Sequence, residues 1–254
     1  MIFRLSKLAL PGIFLLCSGL FMTGVSIAGA PADATLTKTL TSALEASSNG
    51  LEVETVEVSE IPGIYAVQFA NGPLVYSTAA GDHFVVGDMF RTEPEGFINL
   101  AELRRDDVRK RKIDAIEPAD MIVFSPAIPP RAFITVFTDV TCFYCQKLHK
   151  EVPELNKRGV EVRYLAYPRA GLASDGYRQL ASAWCSDNPQ EALTKLKNKQ
   201  NVSDNVCSGN PIASQYEIGQ AVGVRGTPAI VLESGKMLPG YQTADELVAI
   251  LGLD

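Results

Sequence analysis

Cys142 and Cys145 are separated by two residues, Phe143 and Tyr144. Two thiols at that spacing can close on each other as a disulfide, bind a metal as half of a site, or carry a haem. A c-type haem requires His directly after the second cysteine, and Gln146 stands there. Zinc normally takes two such close pairs, whereas the other downstream cysteines, Cys185 and Cys207, lie far apart. His149 leaves a Cys-Cys-His cluster conceivable. His149 and the distant His83 read more simply as polar or packing residues. A purely structural Cys142–Cys145 bridge also remains open. The reading that uses most of the local pattern is thiol–disulfide exchange, because Phe137 to Thr141 places the pair where a strand gives way to a helix. Amides in a helix's first turn lack internal partners and carry partial positive charge, which favours a thiolate. An ordinary thiol is only about 3% thiolate at neutral pH, while Cys-x-x-Cys sites reach pKa values of roughly 3.5–7. Cys142, at the exposed N-terminal position, is expected to attack. Cys145, one turn further in, is placed to resolve the mixed disulfide.

The compartment matters to that chemistry. Arg4 and Lys7 precede an apolar stretch, Leu8 to Met22, interrupted by Pro11, and Ala28-Gly29-Ala30 offers small residues to a signal peptidase. A cleaved export signal over residues 1–30 follows, and the run is short for a permanent anchor. Leu16 before Cys17 is a poor lipoprotein signal. Four cysteines then remain in an oxidising compartment, and four allow three pairings. Cys142 and Cys145 are close enough to pair locally, which would leave Cys185 with Cys207. The chain of 254 residues is 46% apolar and 20% charged, which excludes a disordered or fibrous plan. Its net charge of −6 offers no clustered positive excess for nucleic acid.

The elements that must position the thiols fall into two regions and a bridge. Ala34 to Ala46 spaces Leu36, Leu40 and Leu44 as one helical face, with Gly50 after its end. Val53–Val58, Ile64–Phe69 and Leu74–Ser77 read as strands, the last two flanking the turn Asn71-Gly72-Pro73. His83–Val86 and Met89–Arg91 flank Gly87-Asp88 in the same way, as a hairpin. This unit, residues 31–95, is small for a lone core and suited to pairing with a copy of itself. A helical linker, residues 96–118, contains Ala101–Asp114, whose sparse apolar residues predict a helix crossing solvent. Its basic run, Arg109-Lys110-Arg111-Lys112, is interspersed with acids and reads as a solvated face. Residues 119–254 turn α/β after a connector, Ser125–Pro130. Phe133–Phe137 is a strand, Cys142–Leu155 a helix and Val160–Tyr167 a strand. Ser174–Trp184, Pro189–Lys199 and Ile212–Val222 are helical, Ala229–Glu233 and Lys236–Leu238 form a hairpin, and Ala244–Leu251 closes as a helix.

That order, together with Gly226-Thr227-Pro228 before the Ala229 strand, resembles the thioredoxin superfamily. The resemblance implies a cis bond at Thr227-Pro228 and backbone pairing of Thr227 with a substrate chain. More closely, Thr138–His149, Val162–Arg169, the Gly226-Thr227-Pro228 loop and the Cys185, Cys207 pair look like the DsbC/DsbG family of periplasmic thiol:disulfide interchange proteins. The family implies an α/β thioredoxin-like catalytic domain with a small N-terminal α+β (cystatin-like) dimerisation domain and a helical linker. It implies catalytic Cys142 and Cys145, substrate-binding Thr227 and Pro228, and a structural disulfide between Cys185 and Cys207. The expected activity is that of a periplasmic homodimeric disulfide isomerase and reductase acting on misfolded disulfide-containing proteins. Its thiols are kept reduced by a membrane thiol reductase of the DsbD type, with no metal or organic cofactor. Phe143 departs from the family's usual Gly or Pro, which bears on isomerase against oxidase balance. A net oxidase and a chaperone-like binder of unfolded chains are the alternatives.

Overall fold

Leucines four residues apart dictate the first element of the computed structural model, which describes residues 28–47, 50–70 and 72–253. The export segment lies almost wholly outside these residues, as does Asn71 of the first turn. Helix α1 (Ala34–Ser47) starts at Asp33, whose Oδ1 accepts from Thr35 N and Leu36 N at 3.0 Å. It presses Leu40 and Leu44 onto Val56, Val67, Phe69 and Val75. Those four belong to an antiparallel sheet of β1 (Val53–Val58), β2 (Ile64–Phe69), β3 (Leu74–Thr78) and β4 (Phe84–Val86), in that order. Gly29 to Ala32 hydrogen-bonds along the outer edge of β1.

Gly87-Asp88 is not the hairpin its composition predicts. The sheet ends at β4, and β5 (Phe90–Glu93) pairs instead with β6 (Gly96–Asn99), a strand that falls in the stretch read as linker. Asp88 is occupied otherwise, accepting from Asn99 Nδ2 at 2.7 Å and Arg105 at 2.9 Å. The Asp88 carboxylate thereby ties the residue just before β5 to the cap and the body of the helix that follows.

That helix, α2 (Leu100–Asp114), is capped by Asn99, whose side chain accepts from Glu102 N. It does not cross solvent. Arg109, expected on a solvated face, has its side chain only 5% exposed, donates to Val222 O at 3.0 Å and pairs with Glu102 and Asp106 at 2.6 Å. Ile113 packs with Phe137, Leu165 and Tyr167. On its other side Arg104 pairs with Glu57 and Glu60, and Lys112 with Glu54. The helix is therefore clamped between the two regions by charge pairs, which a count of apolar residues cannot reveal. Its approach to the later hairpin is so close that a Cβ on Gly235 would sit 1.9 Å from the Asp106 carbonyl oxygen.

The second sheet runs β11-β10-β8-β9-β7. Its members are β7 (Ile122–Phe124), β8 (Ala132–Thr138), β9 (Val160–Ala166), β10 (Ala229–Leu232) and β11 (Met237–Pro239). Strands β8 and β9 are parallel and the other neighbours antiparallel. β7 was not foreseen, since three residues before a proline-rich connector give little periodicity. The single helix expected over Cys142–Leu155 is two, α3 (Phe143–His149) and α4 (Val152–Lys157), with Pro153 in the first turn of the second. Helices α5 (Asp175–Trp184), α6 (Pro189–Lys197), α7 (Ile212–Ala221) and α8 (Ala244–Ile250) complete the layers. The core between them joins Ile134, Val136, Leu148, Leu155, Val162, Leu180, Leu193 and Leu247. Strand β8, central and buried over Ile134–Thr138, ends directly beneath the cysteines.

Candidate active site

Strand β8 stops at Thr138 because the next residues turn on their own side chains. Asp139 Oδ1 accepts from Thr141 N at 2.8 Å and from Thr141 Oγ1 at 2.7 Å, and its other oxygen accepts from Arg169 N at 2.9 Å and Nε at 3.1 Å. Burial would raise the Asp139 pKa, but these donors outweigh it and hold the carboxyl below the usual carboxylate range. The turn delivers Cys142 as the N-cap of α3. Neither Asp139 nor Arg169 was singled out from sequence. Their pairing spans thirty residues, and no local pattern announces it.

Cys142 is 2% exposed rather than open to solvent as expected. Its sulfur lies 3.2 Å from Thr227 O, to which the thiol donates when protonated, so the loop before β10 lies over the sulfur. The Thr227-Pro228 bond is cis, as the resemblance implied. The exposed members of the motif are instead Phe143 and Tyr144, at 66% and 55%. The Cys142 pKa is drawn down to about 5. The largest cause is a hydrogen bond from the Cys145 thiol, with burial opposing it. The Thr227 hydroxyl, the Cys145 backbone N–H and the Arg169 charge add to the effect. The Thr227 hydroxyl is buried and makes no hydrogen bond of good geometry among the described residues, so it acts on the sulfur only as a nearby dipole. Cys145 moves the opposite way: burial pushes its thiol up, and donation to the Cys142 anion pushes it further. The two thiols are thus differentiated into one anion and one protonated donor at neutral pH.

Cys185 and Cys207 are bonded to each other, with Cα atoms 5.7 Å apart, at the end of α5 and in the loop before α7. His149 is buried and has both ring nitrogens occupied, by Tyr164 Oη and Thr194 Oγ1 at 3.0 Å each. Burial, and secondarily the charge of Lys197, lower its pKa to about 4, so the ring is neutral. His83 lies at the surface beside Asp82. Among the described residues no group of three His, Cys, Asp or Glu is placed to hold a metal ion. Lys197, passed over in the sequence as one of several lysines on a helix, has its ammonium fully buried behind the cysteines. It donates to Thr138 Oγ1 at 2.5 Å and Asp139 O at 3.1 Å.

The chain is similar to known proteins along most of its length. Residues 119–253 match the thioredoxin-like domain, and residues 27–102 match the disulfide bond isomerase protein N-terminal domain. The thiol:disulfide interchange protein DsbC of Dickeya dadantii is 35% identical over 211 residues, 82% of this chain and 85% of that protein. DsbC of Escherichia coli K12 is 33% identical over 202 residues, 80% of this chain and 82% of its own length. A crystal structure of a disulfide interchange protein from Neisseria gonorrhoeae, 27% identical, covers 54% of this chain and 96% of that one with a TM-score of 0.49. With two domain models matched in the expected order and relatives aligned over four-fifths of its length, the chain belongs to the DsbC family of thiol:disulfide interchange proteins.

Proposed function

We propose that this interchange protein is a periplasmic disulfide isomerase and reductase in which Cys142 attacks and Cys145 resolves. The observation that carries the reading is geometric: Cys142 caps α3 with its sulfur under Thr227 O, and Cys145 is buried one turn further in, surroundings that draw the first thiol down and push the second up. Cys142 thiolate attacks one sulfur of a wrong substrate disulfide, forming a mixed disulfide and releasing a substrate thiolate. That thiolate either attacks elsewhere in the substrate and regenerates Cys142, or Cys145 displaces the substrate and leaves a Cys142–Cys145 disulfide. In the second outcome the substrate is reduced by two electrons, which a membrane thiol reductase of the DsbD type would return to the protein. Thr227 and Pro228 bind substrate backbone beside Cys142, and the Cys185–Cys207 bond is structural. No organic cofactor or metal takes part.

The working unit is a homodimer built by the N-terminal domain, residues 31–95, with residues 96–118 joining it to the catalytic domain, residues 119–254. Strand β4 supports this reading: it is the edge of its sheet, and Phe84, Val85 and Val86 are 56%, 67% and 59% exposed. A bare apolar edge is costly unless another strand covers it. Export rests on the basic and apolar start of the chain and on the relatives' family; no helix among the described residues is long and apolar enough to cross a membrane.

Refolding of a scrambled multi-disulfide substrate, run beside a reduced cysteine-free one, tests the function. Isomerisation predicts recovery of the first, abolished in Cys142→Ala, and trapped mixed disulfides in Cys145→Ala. Assistance only to the cysteine-free substrate would instead make the chain a binder of unfolded proteins. Formation of disulfides without rearrangement would make it a net oxidase.

A further inference from the structure

Helix α6 turns one face inward through Ala192, Leu193, Leu196 and Lys197. A lysine in that row is anomalous, since a buried ammonium is retained only where acceptors replace its water. Two acceptors are present, Thr138 Oγ1 and the Asp139 carbonyl, at the end of β8 where the turn to Cys142 begins. Both could be satisfied by a neutral donor, so hydrogen bonding alone does not explain a charge there. The charged groups around it do. Burial disfavours the ammonium, while Asp139 and the Cys142 anion favour it and Arg169 opposes; the largest favouring influence of all is a Cys145 anion, which exists only when that thiol ionises to resolve the mixed disulfide. The effect is reciprocal: of all the surroundings that favour a Cys145 anion, Lys197 acts most strongly.

We propose that Lys197 is a positioning residue for the second half of the exchange, its buried ammonium stabilising Cys145 as a thiolate at the moment it attacks the mixed disulfide. The inference rests on the reading of Cys145 as the resolving cysteine. In the mixed disulfide Cys142 carries no charge, so its opposition to a second anion disappears and burial stands against Lys197. The Cys145 S–H proton is lost to water. The thiolate then forms the Cys142–Cys145 bond as the Cys142–substrate bond breaks, and the departing substrate sulfur takes up a proton. Lys197 stays charged throughout and exchanges no proton with substrate.

The same geometry sets a limit at alkaline pH. Burial lowers Lys197 to about 8 in the reduced protein, and the mixed disulfide, lacking the Cys142 charge, loses one of the influences that hold it up. Once one proton is lost, it is missing either from Cys145 with Lys197 charged or from Lys197 with Cys145 neutral, and the ratio of these two forms does not change with pH. The resolution rate should therefore rise tenfold per pH unit below the Lys197 pKa, which lies at or under about 8, and flatten above it. Among the described residues, the shifted groups around the site move away from that range. Asp139 is held low, His149 falls to about 4, Arg169 is raised and burial raises Tyr164.

Single-turnover reaction of the reduced full-length protein with a fluorogenic peptide disulfide, followed between pH 6 and 9.5, separates attack from release. The unaltered protein should show release flattening at or under about pH 8, and a release rate still rising tenfold per unit at pH 9 overturns the proposal without any variant. Lys197→Met and Lys197→Gln, the second keeping donors without charge, should abolish the break and slow release at pH 7. Each unit added to the Cys145 pKa removes tenfold of its thiolate and returns about threefold in nucleophilicity, a net loss of roughly threefold to fourfold. Iodoacetamide labelling of Cys142 should change less than twofold. Equal changes in labelling and release, or recovery of the normal profile in Lys197→Gln, would assign Lys197 to packing alone. Release that persists in Cys145→Ala would instead remove the resolving role itself, a separate failure.

Discussion

Acidifying the reduced protein should uncouple Cys142 from the stability of the fold, and the size of the effect follows from its surroundings. In the unfolded chain the thiol titrates near 8.5; in the folded one it is drawn down to about 5 by the Cys145 thiol, the Thr227 hydroxyl and Arg169. A group whose folded pKa is depressed contributes stability that is complete above the unfolded pKa and is lost as pH falls through the folded one. Between those limits the unfolded state carries one more proton, so stability rises by about 1.4 kcal/mol per pH unit. From pH 5 to 7 the gain is about 2 kcal/mol, because half of the folded thiol is still protonated at pH 5, and it is on the order of 4 kcal/mol by pH 8.5. The check is urea unfolding of reduced protein and of reduced Cys142→Ala at pH 4, 5, 6, 7 and 8, with thiolate absorbance at 240 nm recorded alongside. The difference between the two proteins should be flat below pH 5 and then climb with that slope, and the absorbance should have its midpoint near 5. A midpoint above 7.5, or a difference that does not change with pH, would refute the assignment of Cys142 as the stabilised anion. Both proteins keep Cys145, so its own upward shift, which matters only in alkali, does not enter this window.

Mild dithiothreitol should reduce a Cys142–Cys145 bond while leaving Cys185–Cys207 intact; mass mapping that finds all four thiols freed together would contradict the division between redox and structural pairs. Removing the second bridge, with its separation of 22 residues, should cost about 3 kcal/mol of stability in chemical unfolding. Val85→Lys on the exposed edge strand places like charges across any strand pairing of two copies. Sedimentation should show a monomer that still reduces small disulfides and isomerises large ones poorly, and an unchanged dimer would move the interface elsewhere. Gly235→Ala combines a left-handed backbone, φ +86°, with a Cβ driven into the Asp106 carbonyl. A loss of about 1–3 kcal/mol in urea unfolding is expected, and an unperturbed midpoint would mean that α2 is free to leave the hairpin.

The regular elements of both regions were legible because their signals are local. Leu36, Leu40 and Leu44 mark a helix, the alternating and β-rich runs from Val53 to Thr78 mark strands, and the order from Phe133 to Leu251 is that of a thioredoxin-like layer sandwich. Misread elements are those in which local signals competed with distant partners. Gly87-Asp88 has the composition of a turn, yet Asp88 is committed to Asn99 and Arg105. Ala101–Asp114 has too few apolar residues to look buried, yet charge pairs and Val222 O take Arg109 out of water.

Much of the chemistry of this protein was legible in its sequence: two thiols at the mouth of a helix are a short-range feature of residue type and spacing, and the Gly-Thr-Pro loop and second cysteine pair took their meaning from the family resemblance. Tertiary structure decided how the thiols differ. The Cys142 sulfur meets Thr227 O across 85 residues, and Lys197 reaches Thr138 across 59. Arg109 is held by Val222 O across 113. Ionisation and burial depend on distance in space and on the loss of water. Periodicity along the chain reports neither, so only the folded structure shows Cys142 covered, Cys145 buried beneath it and a lysine sealed behind them.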